Sequence, residues 1–301
     1  MRDFRWPPPP DSGPRAYGPG PTAPRSGRPT IPEPATELVS TPHGVTLERL
    51  VTGTGDPVTV FAHGLGAGIA DTRPLGSGIA GRRVFFHMRG HGRSSAPPGR
   101  WSYADLARDL RAMADLCGAT RALGASLGAG ALCRLLADSP ERFTHVIFFL
   151  PAVLDRPRPA ASRTRITALL DAIEAEDVTA VADAVAAETP TAARSTPAGW
   201  AYIRQRTDQL LRDGLAPALA DLPDEIAVSD VGVLSRVTAR ALVIGTVGDE
   251  LHPVPVAEQL ATALPRAELE VYDRPGVVWT ARAHLRERIS AFLNTPSGDS
   301  E

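Results

Sequence analysis

The sequence contains no lysine: all 32 of its basic residues are arginine. That absence excludes Schiff-base and lysine-base chemistry, and with them the phosphate-binding P-loop. Cysteine is nearly as scarce. Cys117 and Cys133 lie in segments that read as helices and lack metal-ligand spacing, so they read as buried free thiols and not as a disulfide framework. No charge of one sign dominates, since 34 acidic residues leave a formal net charge of −2. Nothing therefore draws the chain toward nucleic acid or an anionic membrane surface. The longest apolar run, residues 145–150, is far too short to span a bilayer, and no apolar signal region follows Arg2 and Arg5. A cytoplasmic protein without a membrane partner is expected. No cluster of His, Cys and carboxylates is visible, and no glycine-rich dinucleotide fingerprint opens a helix, so neither a metal nor an organic cofactor is expected.

What is abundant is apolar surface (43% of 301 residues), together with 29 prolines and 27 glycines. Eleven of the prolines fall within residues 1–35, a stretch too poor in apolar residues to order itself and read as a disordered tail. From residue 36 short apolar strands alternate with helical stretches, the signature of a mostly parallel sheet with helices on both faces. Strands are expected at 45–51 (antiparallel), 58–62, 84–86, 121–125, 145–150, 241–245 and 268–272. Helices are expected at 103–117, 127–136, 255–263 and 281–293. In the first of these helices Leu106, Leu110, Met113 and Leu116 read as one apolar stripe. Between residues 155 and 230 the strand signal vanishes and amphipathic helices replace it, which divides the chain into a core (36–154 and 231–301) and an inserted helical cap (155–230).

One motif carries chemistry. Gly124-Ala125-Ser126-Leu127-Gly128 joins a strand to a helix, a turn so tight that its flanking residues must be small. Some sixty residues earlier, strand 58–62 runs into His63-Gly64-Leu65-Gly66; the next strand ends in Arg89-Gly90-His91-Gly92-Arg93-Ser94. After strand 241–245 comes Gly248-Asp249-Glu250-Leu251-His252-Pro253. This ordered set resembles the α/β-hydrolase superfamily, and within it the capped single-domain serine hydrolases, over about residues 40–293. The resemblance implies that Ser126 is the nucleophile, that the backbone N–H groups of Leu65 and Leu127 form the oxyanion hole, and that Asp249 is the acid. It also implies that His63 and His91 are structural, and it departs at His87, where the family usually has Asp.

The resemblance further implies a catalytic histidine in the loop after strand 268–272, and that loop, Asp273–Thr280 in sequence, has none. Two histidines follow Asp249. His284 stands eight residues beyond Gly276, about 12 Å of helical rise, and is the first candidate for the base; His252, three residues from Asp249, is the second. Two functions compete. One is a serine hydrolase of a carboxylic ester, thioester or lactone with a small-molecule substrate, its body made hydrophobic by the apolar, alanine-rich cap. The other is a non-hydrolytic relative (a binding module, cyclase or lyase), in which Val277-Val278-Trp279 forms apolar pocket wall. Retention of Ser126 and Asp249 tips the reading toward the enzyme. The sequence leaves the oligomeric state open.

Overall fold

A computed structural model describes residues 35–296. The proline-rich segment and the last five residues lie outside that range, so the expectation for 1–35 falls almost wholly beyond the described residues. The strands are β1 (Glu37–Ser40), β2 (Thr46–Thr52), β3 (Val58–Ala62), β4 (Arg82–Phe86), β5 (Arg121–Ala125), β6 (His145–Phe149), β7 (Arg240–Thr246) and β8 (Ala267–Tyr272). The helices are α1 (Ile69–Thr72), α2 (Tyr103–Cys117), α3 (Leu127–Asp138), α4 (Ala160–Glu174), α5 (Val178–Glu188), α6 (Thr191–Arg194), α7 (Pro197–Asp213), α8 (Val254–Ala263), α9 (Val277–Thr280) and α10 (Arg282–Leu293).

The eight strands form one sheet in the order β1-β2-β4-β3-β5-β6-β7-β8. β1 and β2 are antiparallel, and every pairing from β4 to β8 is parallel. Parallel strands need crossovers, and the crossover helices bury both faces of the sheet. Accordingly β3 and β6 are buried at every position. Successive side chains alternate between the two cores. Val60, Ala122, Val146 and Val243 face the layer of α2, α3 and α8, while Phe61, Leu123, Ile147 and Leu242 face α10. The order doubles back between β4, β3 and β5, a switch point at which the carboxyl ends of neighbouring strands open a crevice.

Helix α2 begins where Ser102 accepts from the Asp105 N–H while the Asp105 carboxylate accepts from the Ser102 N–H, and it ends at the left-handed Gly118. Its stripe is narrower than the sequence suggests. Leu106, Leu110 and Met113 are buried, but Leu116 is 47% exposed. At about 100° per residue, Leu116 lies about 80° round from Leu106, off the face that meets the sheet. Four helices, α4 to α7, intervene between β6 and β7 and sit over the carboxyl ends of the central strands, where several of their side chains line a common cavity with Ser126. Cys133 is fully buried and Cys117 half-buried, and neither forms a disulfide. Among the described residues no helix is long and apolar enough to cross a membrane.

Candidate active site

Ser126 sits at the corner between β5 and α3 with φ 50° and ψ −109°, a left-handed conformation that costs a residue with a side chain of order 1–3 kcal/mol. The strain is held by neighbours. Ser126 N–H donates to the Phe149 carbonyl at 2.9 Å, and its own carbonyl accepts from Ala129 N–H. The flanking glycines are sterically required. A Cβ on Gly124 would fall 2.4 Å from the Gly128 oxygen, and one on Gly128 would fall 2.5 Å from the Ala62 oxygen. The corner places the Ser126 hydroxyl and the Leu127 N–H at the first turn of α3, where the helix dipole favours negative charge.

His252 meets that hydroxyl: its Nε2 lies 2.8 Å from Ser126 Oγ. Its Nδ1 lies 2.8 Å from Asp249 Oδ2. The pairing assigns the tautomer, with Nδ1–H donating to the carboxylate and Nε2 accepting from the hydroxyl. The other carboxylate oxygen, Asp249 Oδ1, accepts from the N–H of Leu251 (3.0 Å) and of His252 (3.2 Å), closing a tight turn that folds the imidazole back over its own acid. Burial would raise the Asp249 carboxyl, but the hydrogen bonds and charge of His252 and the two backbone donors outweigh it and hold the pKa below its ordinary 3.8.

His284, the first candidate for the base, is elsewhere. It lies in the opening turn of α10, 63% exposed, with Nδ1 3.1 Å from Tyr272 Oη and 3.6 Å from Glu270 Oε1 on the edge strand β8. Its contacts are with β8 at the edge of the sheet, so His252 and not His284 is the imidazole at Ser126. The Val277–Thr280 segment, expected as a loop, is the short helix α9; Val277 is buried beneath it and Trp279 stacks edge-on against Tyr202 of α7 at 5.3 Å between ring centroids. Val277, Val278 and Trp279 do not line the cavity beside Ser126, although Tyr202 does.

The loop carrying Leu65 is held from three sides. Gly66 N–H donates to His91 Nε2 (3.0 Å), whose Nδ1–H donates to the Arg89 carbonyl (3.0 Å). His63 Nδ1–H donates to the Gly64 carbonyl (2.8 Å), and its Nε2 accepts from Met88 N–H (2.9 Å). Arg206 of α7 reaches across to the Leu65 carbonyl (2.6 Å). Arg89 itself is pinned by Asp109 of α2 through Nε (2.7 Å) and Nη2 (2.8 Å). At His87, where the resemblance expects Asp, Nδ1 pairs with Glu48 (2.9 Å) while Nε2 accepts from Ile69 N–H (3.3 Å).

Both structural imidazoles are used in the neutral form. Burial pushes the His91 pKa down to about 4 and the His63 pKa well below its ordinary 6.5. In the unfolded chain both titrate near 6.5, so as pH falls from there the unfolded state takes up protons that the folded state refuses. Stability is therefore expected to fall as pH drops from about 6.5 toward 4, by up to about 1.4 kcal/mol per pH unit for each group. Denaturant midpoints measured across that window test this, and a flat profile would contradict it.

Above the three residues lies a cavity of about 350 Å³. Its walls are largely apolar, with Ile166 and Leu169 from α4, Val185 from α5 and Leu210 from α7, but Glu188 and Arg206 also face it. Neither of these two carries a sequence motif; on amphipathic helices they read as solvated residues. Among the described residues no group of three metal-binding side chains converges.

Comparison with known proteins agrees with this architecture. A family model described as alpha/beta hydrolase fold matches residues 57–276. RutD of Caulobacter segnis, a protein assigned as a carbamate hydrolase, is 25% identical over 258 residues, covering 73% of this chain and 90% of its own. Among solved structures, the enol-lactonase from Burkholderia xenovorans superposes with a TM-score of 0.73 at 22% identity, covering 86% of this chain and 100% of that one. An esterase from Exiguobacterium antarcticum superposes at 0.71 with 17% identity, covering 86% and 99%.

Proposed function

The chain belongs to the α/β-hydrolase fold family, and from that premise we propose that it is a serine hydrolase acting on an ester, thioester or lactone through Ser126, His252 and Asp249. The observation that carries the proposal is the unbroken chain of two 2.8 Å contacts from Asp249 through His252 to Ser126. In this reading Ser126 Oγ attacks the acyl carbon as His252 Nε2 takes its proton. The oxyanion is received by the N–H groups of Leu127 and Leu65, donors fixed before the reaction starts. The imidazolium then protonates the leaving oxygen or sulfur, which departs and leaves an ester on Ser126. Water, deprotonated by His252, attacks that ester, and Ser126 recovers its proton. Asp249, held ionised by its lowered pKa, stabilises the imidazolium and keeps its tautomer throughout.

The inserted helices α4 to α7 act in this reading as the cap, and their apolar lining supports a substrate with a hydrophobic body. Kinship with RutD supports a hydrolytic reaction and adds a carbamate to the substrates worth testing. The non-hydrolytic reading drew its weight from a missing imidazole, and His252 supplies one.

A fluorophosphonate should label Ser126 in the purified protein, and a Ser126→Ala variant should show neither the adduct nor turnover of a p-nitrophenyl ester. Absence of an adduct in the unaltered protein, with no turnover across esters, thioesters, lactones and carbamates, would sink the hydrolase reading.

A further inference from the structure

We propose that Glu188 determines the substrate specificity of this site, by accepting a hydrogen bond from a hydroxyl or amide N–H carried on the substrate's hydrophobic body. The proposal builds on the hydrolase reading for the reaction, but its evidence is the cavity itself.

Nearly every other charged side chain facing that cavity is committed within the protein. Arg165 pairs with Glu250 at 3.0 Å. Arg206 donates to the Leu65 carbonyl and lies 3.4 Å from Asp71. Arg158 donates to Tyr103 Oη at 2.7 Å and to the Leu222 carbonyl. His252 is engaged at both nitrogens. Glu188, in the same lining, makes no hydrogen bond and no ion pair among the described residues. The residue is exposed, yet enough protein surrounds it that desolvation pushes its carboxyl up, against the opposing charges of Arg206, His252 and Arg165; Asp249 adds to the upward push.

Its position makes the carboxylate less comfortable still. Glu188 is the last residue of α5, where the unpaired carbonyls of a helix end repel negative charge. An acceptor facing a largely apolar cavity, against the helix dipole and without a protein donor, is left to water, and a ligand that displaces that water must bring a donor of its own. Perturbed groups of this kind in a cleft beside reactive residues are candidates for function.

The neighbours also choose the donor's charge. Arg158, Arg165 and Arg206 share the cavity, and the charges of Arg206 and Arg165 reach Glu188, so a cationic donor meets repulsion there. Each guanidinium already donates to an acceptor of the protein, which weakens its hold on a substrate carboxylate. A neutral O–H or N–H meets neither obstacle.

Binding is best read without turnover, on a Ser126→Ala background. Titration calorimetry would compare methyl hexanoate with methyl 6-hydroxyhexanoate, its longer homologues and methyl 6-acetamidohexanoate. The donor-bearing esters should bind about tenfold or more tightly at the best chain length, as expected of a hydrogen bond to a charged acceptor. Adding Glu188→Leu should erase that preference, and Glu188→Gln, which keeps a carbonyl acceptor, should retain part of it. The melting temperature of unliganded Glu188→Leu should hold or rise, because the carboxylate has no bond within the protein to lose and sits at the unfavourable end of a helix. Equal affinities at every length, a preference that survives Glu188→Leu, a fall in melting temperature, or tightest binding by methyl 6-aminohexanoate would each overturn the proposal. A failure of Ser126 to take a fluorophosphonate would instead count against the reaction and leave these affinities readable.

Discussion

His252→Ala should lower kcat for a p-nitrophenyl ester by roughly 10⁴- to 10⁶-fold, with KM little changed, whereas His284→Ala should leave both within about twofold. The size follows from the lack of any substitute acceptor. The imidazoles next nearest the Leu65 loop, His63 and His91, have both ring nitrogens committed to backbone partners. Burial also depresses their pKa values, so they are weak bases where they stand. Without His252, Asp249 keeps its backbone donors but faces nothing that touches Ser126. The residual rate is what the proposed oxyanion donors and substrate binding supply. His284 is a sharp control because its partners, Tyr272 and Glu270, belong to the sheet edge. Parallel kcat measurements on the two variants decide the matter, and a dead His284→Ala beside an active His252→Ala would reverse the assignment.

Asp109→Ala should cost about 3–5 kcal/mol of folding stability. Asp109 is fully buried on α2 and accepts two hydrogen bonds from Arg89 and one contact from His43 Nε2 at 2.8 Å. Arg89 is itself nearly buried, and its remaining support is the Asp105 carbonyl at 3.2 Å and the Asp105 carboxylate at 3.5 Å. Removing Asp109 strands a guanidinium out of water. The injury should reach the reaction too, since the Arg89 carbonyl anchors His91, and His91 anchors Gly66 beside Leu65. Denaturant unfolding gives the stability. An Arg89→Met/Asp109→Leu double variant, which removes both charges, should recover much of it; an equally unstable double variant would show that packing, and not the stranded charge, sets the cost.

The parts of this molecule that were legible in the sequence are those whose signals are local. The four central strands announce themselves as apolar runs because both their faces are buried. The corner at Ser126 announces itself because Gly124 and Gly128 have backbone within 2.5 Å of where a Cβ would stand. β1 went unnoticed: it is a four-residue edge strand with mostly exposed side chains, and only pairing with β2 defines it. The choice between His252 and His284 was not legible for a related reason. Spacing of three residues from Asp249 does not say where an imidazole points; that depends on the turn closed by Asp249 Oδ1 and on the nearness of the ends of β5 and β7, which only the assembled sheet supplies. Glu188 offered one faint clue, a carboxylate at the wrong end of a helix.

The turn that holds Asp249 and His252 together has a consequence for how this protein can change over time. Members of the family that draw acid and base from separate loops must keep three stretches of chain in mutual alignment. Here the proposed acid and base travel as one cassette four residues long, and only its docking against Ser126, 126 positions away in sequence, has to be preserved. On that proposal the corner from β8 through α9 to α10 carries no acid or base, and its tie to the site is the packing of Trp279 on Tyr202.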